Sequence, residues 1–218
     1  MGVLLYRPCI ILARLIRTAH FFSSVDRQLV QAFLETGASR SACPTSRPKM
    51  RPLLYFAYGS NMCISRFQKR APNAKAVSVG RLSRHHLVFH KRGVDGSGKC
   101  TIWKDESSVH QVFGVLYLMD ETDKALLDRE EGVGNGYESK IVEIITAEGR
   151  MTAHAYIASE SHYDSSLIPF QWYLDYVLTG AFQHRLPEYY ISNIRDVTCI
   201  KDPDRERAFK NGQILRAA

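Results

Sequence analysis

Leu53-Leu54-Tyr55-Phe56-Ala57-Tyr58-Gly59-Ser60-Asn61-Met62 is an apolar run that stops abruptly at Gly-Ser-Asn and passes into a helix-like segment. Tyr, Phe and Leu favour a pleated, half-buried surface, so the run reads as a strand. Gly59 permits a sharp turn, and Ser60 or Asn61 is placed to cap a helix over 62–70. A turn of this kind presents several backbone N–H groups together. Such a nest, with a helix start behind it, suits a carboxylate as well as a phosphate.

Outward from that turn the chain alternates extended segments with few helices. Residues 76–80 and 82–90 read as extended, with Gly80 as a bend, and 93–98 as a turn. Segments 99–103 and 112–119 read as a hairpin pair across the polar stretch 105–110. Asp120-Glu121-Thr122-Asp123 supplies caps for a helix over 124–130 that ends at Gly132. Strands at 137–146 and 151–158 flank a turn, and helices follow at about 170–182 and 188–194. Strands grouped in this way favour α+β over a doubly wound parallel sheet.

The chain has 218 residues, enough for one domain with an appendage. Its formal charge of +7 has the sign of a nucleic-acid binder, but +5 of it lies in residues 1–49 and the remainder is nearly balanced. Residues 1–49 read as an N-terminal extension, 50–200 as the domain and 201–218 as a C-terminal tail. Arg7 and Arg14 interrupt the leading apolar stretch, which is too short for a membrane span and a poor secretory core. The simplest account of the extension is a mis-assigned start ahead of Met50; an organelle transit peptide or a short natural tail are the alternatives. Five cysteines without CxxC spacing leave one unpaired in any full set of disulfides, which points to reduced thiols and a cytoplasmic protein.

Three other motifs are expected to carry no function. Gly93-Val94-Asp95-Gly96-Ser97-Gly98-Lys99-Cys100 nearly spells a phosphate-binding loop, but Cys100 lacks the hydroxyl for magnesium, and a strand follows where that motif needs a helix. His85, His86 and His90 have no Cys or carboxylate beside them at ligand spacing, so no metal site is expected. Tyr189-Tyr190 and the C-terminal Lys and Arg residues accompany no nucleic-acid recognition signature.

Tyr55-Phe56-Ala57-Tyr58-Gly59-Ser60-Asn61-Met62 resembles the signature of the gamma-glutamylcyclotransferase family. Leu127-Asp128-Arg129-Glu130-Glu131-Gly132-Val133 followed by Gly136-Tyr137 is similar to its second block. A third stretch, Pro169-Phe170-Gln171-Trp172-Tyr173 with Gly180-Ala181 and Leu186-Pro187-Glu188-Tyr189-Tyr190, extends the resemblance to about Val197. It implies a small mixed β-barrel with surrounding helices, and an enzyme that turns a γ-glutamyl amino acid or amine into 5-oxoproline and the free amine. The α-amine attacks its own γ-carbonyl, so the implied reaction uses neither metal nor cofactor.

Read from the residues alone, Glu131 is a surface carboxylate at a helix C-terminus, a position the helix dipole disfavours. The resemblance makes it, rather than Glu130, the catalytic acid/base. An ordinary carboxylate is a far weaker base than an amine, so a buried, apolar setting is expected around it. The turn Tyr58, Gly59, Ser60 and Asn61 is implied to bind the substrate carboxylate and the developing oxyanion, with Tyr137 and Tyr173 as pocket tyrosines. The glutathione-specific branch carries an apolar residue where this chain has Asn61, so direct glutathione cleavage is not expected. The implied partner is a small γ-glutamyl molecule, with no nucleic acid and no membrane, and the oligomeric state stays open. The alternative reading is a catalytically silent relative that binds a small carboxylate or a protein.

Overall fold

The computed structural model describes residues 52–106 and 109–216; the extension 1–49 lies outside them. Strand β1 (Leu53–Ala57) is buried along nearly its whole length, which is why its sequence is a continuous apolar run rather than an alternating one. It pairs antiparallel with β5 (Gln111–Met119), from Leu53 opposite Met119 to Ala57 opposite Val115. Its other edge runs parallel to β7 (Gly149–Ala158), with Tyr55 opposite His154. Strand β2 (Lys75–Ser83) joins β5 to β6 (Tyr137–Thr146), and β6 forms a hairpin with β7. The order β1-β5-β2-β6-β7 thus closes into a barrel, which leaves no open edge in that sheet. The mixed barrel with surrounding helices agrees with the expected α+β class.

Two expectations about pairing are corrected. Strand β4 (Gly98–Lys104) pairs with β3 (His85–Arg92), not with β5, so the hairpin forms across the 93–97 turn. Turn chemistry favours that partner: Gly96, at φ 79°, donates its N–H to Gly93 O at 3.0 Å, and Gly93 N–H to Ser97 O at 2.9 Å closes the loop. The bend expected at Gly80 falls instead at Arg84, whose φ is 61°. Gly80 lies inside β2, between Gly114 of β5 and Thr146 of β6. A Cβ there would sit 2.4 Å from Ile144 Cγ2, so the glycine serves close strand packing.

The helices cover the barrel. After the turn at 58–62 comes a short helix α1 (Ile64–Phe67), and α2 (Glu121–Glu131) links β5 to β6. Helix α2 starts on Asp120, whose side chain accepts the Asp123 N–H at 2.8 Å. It stops at left-handed Gly132, φ 63°. Helix α3 (Gln171–Gln183) rests on the 58–62 turn at Gly180, where a Cβ would be 2.5 Å from the Met62 carbonyl carbon. Helix α4 (Glu188–Arg195) follows directly.

Within the stretch set apart as a C-terminal tail, Arg205–Arg216 forms helix α5. Its docking is polar: Tyr176 donates to Asn211 O at 2.9 Å and Ser65 Oγ to Ile214 O at 3.1 Å. Ahead of it, Asp202 accepts from Trp172 Nε1 at 2.7 Å and from Arg207 at 2.6 and 2.7 Å. Among the described residues no helix is long and apolar enough to cross a membrane.

Candidate active site

Ser60–Met62 is a single 3-10 turn closed by Met62 N–H to Gly59 O at 3.0 Å and Cys63 N–H to Ser60 O at 3.2 Å. The N–H groups of Ser60 and Asn61 head this turn and stand outside its own bonds. The expected side-chain cap does not form, and the helix over 62–70 is broken at extended Cys63. The Asn61 carboxamide is engaged elsewhere. Its Nδ2 donates to Tyr55 Oη and to Glu131 Oε1, both at 2.9 Å, while its Oδ1 accepts from Arg70 Nη1 at 3.2 Å.

Glu131 is the last residue of α2, and its side chain is 13% exposed against 54% for Glu130. The two neighbours therefore have different fates: Glu130 faces solvent and Glu131 turns inward. Arg70 Nη1 meets Glu131 Oε1 at 2.8 Å, offsetting the repulsion that a helix C-terminus exerts on an acid. The setting is thus polar rather than the apolar one expected. Both bonds fall on Oε1, which leaves Oε2 outside the pair.

Gly59 has φ −120°, so its glycine is not required by a left-handed backbone. Close approach requires it: a Cβ would lie 2.9 Å from Cys100 Cβ and 3.6 Å from the Tyr173 hydroxyl. Cys100, on β4, is held at both edges of its backbone. Tyr137 donates to its carbonyl at 2.6 Å, and its N–H donates to the Tyr173 hydroxyl at 2.9 Å. Tyr58 donates to the carbonyl of Tyr156. Burial pushes the phenols of Tyr58, Tyr137 and Tyr173 well above their ordinary range, so all three stay protonated. Burial also pushes the Cys100 thiol up to about 12, which removes it as a nucleophile.

Tyr58, Gly59, Ser60, Asn61, Glu131, Tyr137 and Tyr173 all line one cleft, joined there by Tyr55, Cys100 and Tyr156. Sequence reasoning missed Tyr55, Arg70, Cys100 and Tyr156 as site residues, although Tyr55 lies inside the first motif. Arg70 offered one faint signal, a cation nine residues after Asn61 near the end of the expected helix. Cys100 and Tyr156 offered none, because β4 and β7 reach the cleft only through the fold. Lys99, the lysine of the rejected phosphate loop, pairs with Asp95 at 2.7 Å and lies over the Trp172 and Tyr173 rings at 4.6 and 4.7 Å.

A closed five-strand barrel thus carries an inward carboxylate tied to the turn after its first strand. The AIG2-like family matches residues 111–194. Gamma-glutamylcyclotransferase of Bos taurus is 33% identical over 151 residues, covering 66% of this chain and 78% of that protein. The Homo sapiens protein of the same name is 31% identical over 157 residues, covering 69% and 81%. A solved structure named gamma-glutamyl cyclotransferase superposes with a TM-score of 0.67 at 26% identity, covering 77% of this chain and 99% of that one. The chain belongs to the gamma-glutamylcyclotransferase family. It is an enzyme of that class.

Proposed function

We propose that the chain converts a γ-glutamyl amino acid or γ-glutamyl amine to 5-oxoproline and the free amine, with Glu131 moving the proton. The observation that carries this reading is the Glu131 carboxylate, turned inward and bonded to Asn61 of the Tyr58-Gly59-Ser60-Asn61 turn at 2.9 Å. In the reaction the α-nitrogen bonds to the γ-carbonyl carbon, the bond from that carbon to the leaving amine breaks, and one proton passes from the first nitrogen to the second. A single carboxylate within reach of both nitrogens suffices for that transfer.

Both reacting groups belong to one molecule, so the protein's part is to hold that molecule curled with nitrogen and carbonyl carbon in contact and aligned. The N–H groups of Ser60 and Asn61 suit the substrate α-carboxylate and the oxyanion forming at the γ-carbonyl. Tyr137 donates its hydrogen bond to Cys100 O and Tyr173 accepts from the Cys100 N–H, so both phenols serve as walls of the cleft fixed by the Cys100 backbone. Asn61 at the position that is apolar in the glutathione-specific branch favours γ-glutamyl amino acids and amines over glutathione.

The test is 5-oxoproline release from a panel of γ-glutamyl amino acids, γ-glutamyl amines and glutathione. Release from the first two classes, abolished in Glu131→Gln, is the expected result. A folded wild-type chain that binds 5-oxoproline yet releases none from any substrate would favour the silent carboxylate binder instead.

A further inference from the structure

We propose that His86, Asp105 and His110 form a binding site for one divalent transition cation of the zinc class, on the wall of a second cavity. Nε2 of His86 and Nδ1 of His110 each lie 2.8 Å from the same oxygen, Oδ2 of Asp105. All three ligand atoms fall within 4.8 Å of one another. The two imidazoles are close together, with ring centroids 3.6 Å apart. Zinc binds nitrogen and carboxylate oxygen at about 2.0–2.2 Å, which places tetrahedral ligand atoms about 3.3 Å apart. Each imidazole nitrogen, now 2.8 Å from the Asp105 oxygen, is thus about half an ångström from the spacing it would take across the ion.

The backbone holds these ligands in place. His86 is the second residue of β3, Asp105 follows β4 and His110 precedes β5. Arg84, at the left-handed corner between β2 and β3, straps both loop ends. Its carbonyl accepts the Asp105 N–H at 2.7 Å, and its own N–H donates to His110 O at 2.9 Å. Ligands already converged on a strapped frame lose little freedom when they bind. The adjacent His85 is directed elsewhere, with Nδ1 on Ser83 O at 2.8 Å.

His86 and His110 also line a cavity of about 220 Å³ that Phe89, Tyr189 and Tyr190 help to close. It shares no lining residue with the Glu131 cleft. Two of the three ligands line the cavity, and three protein ligands leave a fourth position for water or a small anion, the pattern of an open zinc site. Two imidazoles and one carboxylate are nitrogen and oxygen donors of intermediate softness, which favour Zn²⁺, and Cu²⁺ or Ni²⁺ as competitors, over Mg²⁺ or Ca²⁺. Sequence spacing hid the site because the carboxylate is nineteen residues from His86 and joins it only through the β3–β4 hairpin.

The experiment uses the tag-free full chain, stripped of metal with a chelator and titrated with Zn²⁺ by calorimetry. One ion per chain is expected, with affinity at least tenfold weaker in the His86→Asn/His110→Asn double variant and no heat from Mg²⁺. Co²⁺ should give visible d–d bands without thiolate charge transfer, lost in the double variant. If circular dichroism shows that variant misfolded, Asp105→Asn replaces it, since it keeps the side-chain shape. The proposal is overturned if the wild-type chain takes up no Zn²⁺, if the folded variants bind it as tightly as wild type, or if the cobalt spectrum shows thiolate ligation.

Discussion

The Asn61 carboxamide donates to Glu131 Oε1 at 2.9 Å, joining two residues seventy positions apart and fixing the end of α2 against the turn that follows β1. The same amide donates to Tyr55 and accepts from Arg70, so it orders a donor, an acceptor and a cation around one carboxylate. Few side chains can donate and accept at once in this space. That arrangement makes the site testable one group at a time.

Glu131→Gln keeps shape and hydrogen-bonding reach but cannot accept a proton. Substrate binding should persist while kcat falls on the order of 10²–10⁴-fold. Glu130→Gln, at the exposed neighbour, should change kcat little. Near-normal 5-oxoproline formation by folded Glu131→Gln would sink the mechanism, and a collapse confined to Glu130→Gln would move the chemistry to the adjacent carboxylate.

Asn61→Leu preserves approximate volume and leaves Arg70 on Glu131, but removes the tie to the turn. Hydrogen bonds to charged groups are worth about 1.5–3 kcal/mol, so kcat/KM should fall roughly 10- to 150-fold. Steady-state kinetics beside a melting curve separates this loss from unfolding. An unchanged kcat/KM in a folded variant would show that the tie does not position the carboxylate.

Gly59→Ala places a Cβ 2.9 Å from Cys100 Cβ, a separation that forces backbone or side chain to move. Binding of 5-oxoproline should weaken at least tenfold while circular dichroism stays native-like. Cys100→Gly in the same chain removes the clashing atom and should restore part of the affinity. Full affinity in the single variant would contradict the close approach as the reason for glycine.

Burial holds His184 at about 4, below its ordinary 6.5, although its bond to Met62 O pulls the other way. Between those two values the unfolded chain takes up a proton that the folded chain refuses. The stability contributed by neutral His184 is therefore full above about pH 6.5 and is lost as pH falls toward 4. The whole change is on the order of 3 kcal/mol. His184→Gln removes the titration and can keep the donor to Met62 O. Urea midpoints at pH 7 and pH 4.5 should lie closer together in the variant than in wild type; equal separations would refute the assignment.

The sequence alone determined what depends on neighbours a few residues away. Strand β1 and its turn, the Gly132 stop of α2, the β6–β7 hairpin, and helices α3 and α4 are all legible from propensity, capping and turn chemistry, whereas α2 was expected from 124 and begins at Glu121, capped by the first of four candidate residues. So was the inequality of Glu130 and Glu131, once the family motif was recognised. Only the tertiary structure decided that β4 pairs with β3, that the chain bends at Arg84 rather than Gly80, that Cys100 and Tyr156 line the cleft, and that Arg70 pairs with Glu131. It also brought His86, Asp105 and His110 together. Local rules act through backbone conformations one residue or one helical turn apart. Strand partners and converging side chains are selected by the burial and packing of the whole barrel, which no short window of sequence contains.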